Sequence, residues 1–361
     1  MKKLHTVICG AGKMGRAIGF AMKHFKHDIS IVETNTDCID AFIELNGDCK
    51  VLSHWSQIEN KPDVLISSLP YHAVLDAALW AIDNDVRYCD LGGSVPVSAS
   101  VKEIASRKAT RPVMTDLGLA PGWINIMAEE IRASLHGVDS ITMMVGGIPS
   151  KPDNDPLNYM TTWSIDGLLN EYMDDCEILV EGIKKTVSGM SGLENVVIND
   201  MELECFYTSG ASAHSISTMD KHGVKNCSYK TLRWRGHCTF MKYLLDVFAT
   251  EPSLTNGLKV DTESIKRILS HSHKMHQKDM VVMKVEARKG SDVSVSKNRI
   301  IHANDQFTAM QIATAFPIAS VAHLMAKGAM DKTVQATYAD IDIPAFNLYL
   351  DSLLAKHGHK H

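Results

Sequence analysis

Residues 7–15, VICGAGKMG, set glycines at 10, 12 and 15 directly after a short apolar run and directly before a helical pattern. Few features constrain a fold so tightly. Gly10 serves a tight turn, Gly12 lets backbone approach a pyrophosphate, and Gly15 lets the helix lie close on the strand. The helix N-terminus then offers N–H donors to an anion, with Ala11, Lys13 and Met14 completing the loop. The glycine spacing alone is a weak signal; its strand–turn–helix setting is what predicts a nucleotide site. Glu33 strengthens it. This acid ends the second apolar run, 21 residues after Gly12, where a carboxylate accepts the adenosine ribose 2′-hydroxyl of NAD and repels the 2′-phosphate of NADP. Thr34, Asn35 and Thr36 bring no cation beside it. NAD is therefore the expected cofactor.

The pattern that follows repeats this grammar. Strands are expected at 4–9, 28–33, 49–52, 63–69, 86–91 and 111–117. Helices are expected from Met14, over 36–47, and at roughly 71–83 and 98–109. Alternation at this spacing predicts a parallel sheet covered on both faces, and six strands make a doubly wound, Rossmann-type α/β unit. SSLPY (67–71) follows the fourth strand at the switch point, and YCDLGG (88–93) follows the fifth. Ser68, Leu69, Pro70, Leu91 and Gly92 are the expected lining of the nicotinamide half, although ordinary loops explain them about equally well.

After about residue 122 the pattern changes. Runs at 140–149, 158–165, 177–183, 203–210 and 229–236 read as strands without crossover helices, and 279–303 reads as a hairpin around Gly290. A mixed or antiparallel sheet in an inserted α/β substrate domain is implied. Helices return at 307–328 and 344–356. The expected division is 1–122 for the dinucleotide-binding domain, 123–305 for substrate binding and oligomerisation, and 306–361 for helices packing back on the first domain.

Composition excludes several classes. With 45% hydrophobic and 22% charged residues, the chain of 361 residues is neither disordered nor fibrous. Its net charge of −5 provides no field for a nucleic acid or an anionic membrane. The eight cysteines have no CxxC pair or framework and read as buried thiols of a cytoplasmic protein. MKKL at the start is not followed by a signal-peptide core, and the weakly charged stretch 307–326 carries Gln311, Pro317, Ser320 and His323, which suits a buried, bent helix. No metal site is expected: there is no HExxH, and His271, His273 and His276 do not share one helical face.

GAGKMG, YCDLGG, TDLGLAPGWIN, VGGIP, DGLLNEY and LECFYTSG together resemble the saccharopine dehydrogenase superfamily, and most closely its lysine 6-dehydrogenase branch. The likeness spans most of residues 5–240. It implies homodimers or larger assemblies and oxidation of the ε-amino group of L-lysine to allysine, which cyclises to piperideine-6-carboxylate. Saccharopine reductases commonly carry GLDPG where this chain has GLAPG, so Ala120 sides with the lysine enzymes. A saccharopine-type dehydrogenase, or an NAD-binding regulatory protein without turnover, stays open.

Amine oxidation by hydride transfer needs a base for the amine and for the water that attacks the imine. Asp116, ending the sixth strand, is the preferred candidate and Asp90, ending the fifth, the second. A strand-end Asp is also a common turn acceptor. Arg233 and Arg235, two apart in a strand and so on one face, are candidates for the substrate carboxylate, with a surface ion pair the plain alternative. His237 is a candidate for substrate binding or proton relay, against a packing role. Tyr71, Asn125, Tyr207, Thr208 and Ser209 complete the expected pocket.

Overall fold

Each run of buried β-branched residues that ends at a glycine or a short polar turn becomes a strand of one sheet. In the computed structural model these are β1 (His5–Cys9), β2 (Asp28–Val32), β3 (Lys50–Leu52), β4 (Val64–Ser67), β5 (Arg87–Asp90) and β6 (Val113–Met114). They are all parallel and run in the order β3-β2-β1-β4-β5-β6. The connecting helices are α1 (Lys13–His24), α2 (Thr36–Asn46), α3 (Tyr71–Asp83) and α4 (Val95–Lys108). The order is the doubly wound one, with its switch point between β1 and β4. The structure describes residues 3–92, 94–135, 137–152, 157–161, 164–209, 212–245, 265–267, 269, 278–291 and 293–356.

The chain divides into two compact units, residues 1–130 with 311–361, and residues 131–310. The division falls inside α5 (Trp123–Leu135) and just after the start of α9 (Ala309–Ala326), a few residues beyond the expected 122 and 305. In the first unit, Val7, Leu65, Tyr88, Ala77, Ala81 and Val101 form a core between the sheet and α3 and α4. The C-terminal residues belong to this unit. Segment 334–336 extends the sheet beyond β6, through Val113 N–H to Val334 O at 2.8 Å and Ala336 N–H to Val113 O at 3.1 Å. Arg87 grips Asp331 with Nε and Nη2 at 2.7 and 2.6 Å. The apolar α9 contains Pro317, as expected; it is long enough to cross a membrane, but all of it is buried inside the fold.

The second unit is built on an eight-stranded mixed sheet. Its strands are β7 (Ser140–Pro149), β8 (Cys176–Val180), β9 (Ile183–Val187), β10 (Glu194–Ile198), β11 (Met201–Tyr207), β12 (Asn226–Trp234), β13 (Asp279–Lys289) and β14 (Val293–His302). The main path is β10-β11-β12-β7-β13-β14, in which β12 and β7 are parallel. Helices α6 (Ile165–Met173), α7 (Ser212–Lys221) and α8 (His237–Tyr243) lie between strands, more helix than the sequence suggested.

Two strand expectations change. Residues 158–165 do not form a strand: 158–161 are irregular, and Ser164 caps α6 by accepting the Gly167 N–H at 3.2 Å. Run 177–183 is two strands joined at Glu181 and Gly182, both at positive φ, and Asn199–Asp200 joins β10 to β11 in the same way. These are two-residue hairpin turns.

One buried polar pair ties the first unit to its C-terminal helix. His27 accepts or donates between Thr6 Oγ1 at 2.7 Å and His323 Nδ1 at 2.8 Å, and the His323 ring stacks on Phe25 at 4.6 Å. Burial pushes both imidazoles down to about 4, from an ordinary 6.5. Both rings are neutral in the fold at pH 5 but charged in the unfolded chain, so stability is complete above about 6.5 and falls as the pH drops towards 4. The loss expected is on the order of 3 kcal/mol for each imidazole. His323→Phe keeps a ring against Phe25 and leaves one titrating imidazole, so denaturant unfolding should show roughly half the wild-type pH slope between 6.5 and 4. An unchanged slope would remove the pair as its cause.

Candidate functional site

The glycine loop shows the tight turn at Gly10 and the close helix–strand approach at Gly15. A β-carbon on Gly15 would stand 1.9 Å from the Gly10 carbonyl oxygen, so α1 is pressed against the exit of β1. Gly10, at φ +91°, faces Ser68 at 3.0 Å, and Ser68 locks the turn by donating Oγ–H to Gly10 O at 2.8 Å. Gly12 differs from both: nothing lies within 4 Å of its would-be β-carbon. No protein atom demands glycine there. The space belongs to whatever approaches the loop, and Lys13 and Met14 stand in the first turn of α1, where backbone N–H groups lack helical partners. The Lys13 carbonyl is held by Gln311 Nε2 at 2.9 Å.

Glu33 closes the loop from β2. Its carboxylate accepts Ala11 N–H at 2.9 Å, Thr34 N–H at 2.8 Å and Asn35 N–H at 2.9 Å. Burial pushes this group up, but the three amides outweigh it and hold the carboxyl below the usual range. It is an anion at neutral pH, half-buried beside the loop, with lone pairs left for a hydroxyl. Thr34 is exposed. At the switch point, Leu69 packs into the core, Pro70 precedes α3, and Tyr71 is exposed at its first turn. The residues present thus fit a dinucleotide.

Asp90 and Asp116 come together, although not as free bases. Strand β6 ends at Met114, and Asp116 lies beyond it at φ +66°. Its Oδ1 accepts from Ser98 at 2.7 Å, and its Oδ2 from Thr115 at 2.6 Å and Lys102 at 3.3 Å. Asp90 Oδ1 accepts the N–H of Asp116 at 3.0 Å and of Gly92 at 2.8 Å. Burial, then the neighbouring Asp116 charge, push Asp90 up to about 7. Asp90 Oδ1 thus holds the loop that carries Leu91 and Gly92, its Oδ2 is buried without a hydrogen bond among the described residues, and the Asp116 carboxylate is tied to Ser98, Lys102 and Thr115. Asn125, completely buried, likewise caps α5 by accepting Gly122 N–H at 2.7 Å.

In the second unit the expected residues separate. Arg233 is 3% exposed and Arg235 is exposed. Strand β12 ends at Trp234, so the period of two stops before Arg235, which pairs with Glu202 at 2.8 Å on the surface. Arg233 Nε donates to Tyr172 Oη at 2.8 Å, Tyr172 is 2.9 Å from His237 Nε2, and His237 Nδ1 is 2.7 Å from Leu157 O. A carbonyl only accepts, so Nδ1 carries the proton, Nε2 accepts from Tyr172, and every hydrogen in the chain is assigned. Burial, then Arg233, push His237 down to about 3. His237 is therefore neutral in the fold, with both ring nitrogens engaged.

Glu204 supports the same turn, accepting Gly236 N–H at 2.8 Å and Cys238 N–H at 2.6 Å. The Tyr159 ring lies 4.9 Å from the guanidinium carbon. Thr208 is buried against Thr231 at 2.8 Å, Tyr207 stacks under Lys230, and Ser209 donates its N–H to Glu171 O at 3.0 Å. Two participants, Tyr172 and Glu171, were not expected from the sequence. Both lie in the DGLLNEY run, whose helical pattern was the available signal. His271, His273 and His276 lie outside the described residues. Among the described residues no group of three His, Cys, Asp or Glu is placed to hold a metal ion.

A doubly wound sheet with an open glycine loop, joined in sequence to a mixed-sheet unit with a buried arginine, defines a two-unit α/β protein of dehydrogenase type. The family described as Saccharopine dehydrogenase C-terminal domain matches residues 118–358, and the chain belongs to it. Its fold is similar to that of apo saccharopine dehydrogenase (L-Glu forming) from Saccharomyces cerevisiae, with TM-score 0.74, 17% identity, and 98% of each chain covered. Weaker likenesses include a myo-inositol dehydrogenase from Corynebacterium glutamicum, with TM-score 0.46 and 10% identity over 99% of this chain and 97% of that one. Another is the Lactobacillus casei myo-inositol dehydrogenase in complex with NAD(H) and myo-inositol, with TM-score 0.47 and 12% identity over 97% and 93%.

The glycines make a paired prediction. Gly12→Ala should fold with a melting temperature close to wild type, because its β-carbon meets nothing, yet bind NADH at least about tenfold more weakly. Gly15→Ala should lose stability by on the order of 3 kcal/mol. Melting curves and NADH fluorescence titration check both, and a Gly12→Ala protein with wild-type affinity would refute the assignment.

Proposed function

We propose that the protein oxidises the ε-amino group of L-lysine with NAD, giving allysine and its cyclic form, piperideine-6-carboxylate. The observation that carries this reading is Arg233: a guanidinium 3% exposed whose Nη2 makes no hydrogen bond to any described residue, held in one orientation by Tyr172 and His237. A planar guanidinium with a free edge is suited to a carboxylate. NAD is supported by the Glu33 carboxylate and by the absence of a cation at Thr34, Asn35 and Thr36. When bound, the cofactor supplies a hydride acceptor. The chain's own residues bind and orient: the α1 N-terminus and Gly12 receive the pyrophosphate, Glu33 the ribose hydroxyl, and Arg233 the substrate α-carboxylate.

Saccharopine, which joins an amino acid to an oxo acid, needs a second carboxylate clamp. Arg235 was the candidate for it and lies on the surface with Glu202. Among the described residues Arg233 is then the one guanidinium of the buried cluster, which favours the smaller substrate.

The test is NADH absorbance with NAD or NADP and a panel of L-lysine, L-ornithine and L-saccharopine. NADH from L-lysine with NAD is expected, and Arg233→Lys should raise KM by about 30-fold or more through loss of the planar donor edge. Turnover of L-saccharopine alone would replace this reading with a saccharopine dehydrogenase. NADH binding without turnover of any member would overturn it in favour of a regulatory role.

A further inference from the structure

Helix α6 delivers two consecutive side chains to the buried arginine. Tyr172 enters the hydrogen-bonded chain, whereas Glu171 stays outside it. Glu171 is half-buried, and its carboxylate accepts no hydrogen bond from any described residue. It lies close enough to Arg233 for the two charges to act on one another, but the two form no direct ion pair. On the other side, Arg233 spends Nε on Tyr172 and one Nη1 hydrogen on Leu232 O at 2.8 Å, leaving three of its five donors unused among the described residues. A carboxyl and a guanidinium within reach of each other in a buried place normally pair, because buried polar groups left unmet are costly. Here the fold keeps them apart. Arg233 is held back by Tyr172, and the α6 end is held by Ser209, whose N–H reaches Glu171 O at 3.0 Å and whose Oγ reaches Asn170 O at 3.5 Å.

We propose that Glu171 and Arg233 are the two poles of a site for one α-amino-acid head group, Arg233 taking the carboxylate and Glu171 the ammonium. This rests on the reading of Arg233 as a carboxylate-binding residue and makes Glu171 the determinant of specificity for α-amino acids over simple carboxylates. The head group carries both charges on one carbon, so one ligand can meet both side chains at once. No covalent step is involved.

A proton accompanies this binding. Burial pushes Glu171 up to about 8 although Arg233 pulls it down, so the empty carboxyl is largely protonated at pH 7. An arriving ammonium stabilises the ionised form, and affinity rises with pH from 6 to 8. The neighbouring titratable groups do not interfere in that window. Arg233 stays charged, Tyr172 and Tyr229 are pushed up, burial and then nearby acids push Cys176 up to about 12, and His237 is at about 3.

The experiment is isothermal titration calorimetry of the full chain with L-lysine, L-ornithine and L-glutamate against 6-aminohexanoate, 5-aminopentanoate and glutarate, which lack the α-amino group. Two buffers of different ionisation enthalpy report the released proton. At least one amino acid should bind tenfold or more tightly than its counterpart, with proton release at pH 7. Glu171→Gln should erase both the preference and the proton while leaving the counterpart's affinity unchanged, and Glu171→Asp should restore part of the preference. Equal binding of every pair by wild type, or an equal loss for both members of each pair in Glu171→Gln, would overturn the proposal. The reaction is scored separately. L-lysine oxidised with the same KM by wild type and Glu171→Gln would sink Glu171 and spare the reaction. A Glu171-dependent preference without lysine turnover would sink the reaction and spare Glu171.

Discussion

The contact between Gly15 and the Gly10 carbonyl governs the first unit. With a β-carbon of any kind 1.9 Å from that oxygen, α1 could not leave β1 at its present distance. The helix is therefore anchored at its N-terminus, where its unsatisfied N–H groups face the end of β1. Ser68 fixes the same turn from β4, donating to Cys9 O and Gly10 O. Because β1 and β4 flank the point at which the strand order reverses, the anchored helix end opens onto the crevice that doubly wound sheets use for ligands. Glu33, arriving from β2, is oriented by amides of the loop and of its own strand end. Backbone shaped by three glycines, braced by the Ser68 hydroxyl and the Glu33 carboxylate, builds this loop.

The second unit solves its problem with side chains. Arg233 is buried on β12, a strand paired with β11, β7 and, at Cys227, β8. A guanidinium in that position needs its donors directed. The direction originates at Leu157, whose carbonyl can only accept, and passes through His237 and Tyr172 to Nε. A protonated His237 would have no lone pair for Tyr172, and the sequence of donors would break. Burial and the Arg233 charge both oppose that proton, so the network is stable in one protonation state across the physiological range. Glu204 then secures the turn from β12 into α8, on which His237 sits.

The parallel half was legible because its signals are local and redundant: apolar runs, helical periods, and glycines at fixed offsets. The second half was legible only in outline. Strands β9 and β10 are mostly exposed, β9 carries Lys184, Lys185 and Thr186, the apolar run of β10 is only Val196 to Ile198, and their turns use Glu181 and Asn199 rather than glycine alone. Arg235 misled because alternation holds only while a strand lasts, and β12 stops one residue earlier. Glu171 left no trace of its position. On a helix a glutamate beside a buried tyrosine normally faces water, and only the packing of β11 and β12 against α6 places this one next to a guanidinium. His237 was visible as a residue, but its tautomer depends on a carbonyl 80 positions away.

The aspartates show how one pattern serves two ends. A carboxylate at the carboxyl edge of a parallel strand is where bases are commonly found, and it is also where the chain must turn without a ladder to hold it. Asp90 and Asp116 take the second task together. Asp116 adopts a left-handed backbone, its N–H reaches Asp90, and Gly92 stays bare because a β-carbon would stand 2.5 Å from Asp116 Oδ1. Two buried carboxylates this close would repel if both were ionised. Asp116 has Lys102, Ser98 and Thr115 to stabilise its charge, whereas Asp90 has two amides and a deeper burial. The asymmetry lets one proton reside on Asp90 near neutrality, which removes the repulsion while Oδ1 keeps both amides. Burial and the neighbouring Asp116 charge account for the raised Asp90 carboxyl, while the two loop amides it accepts pull the other way.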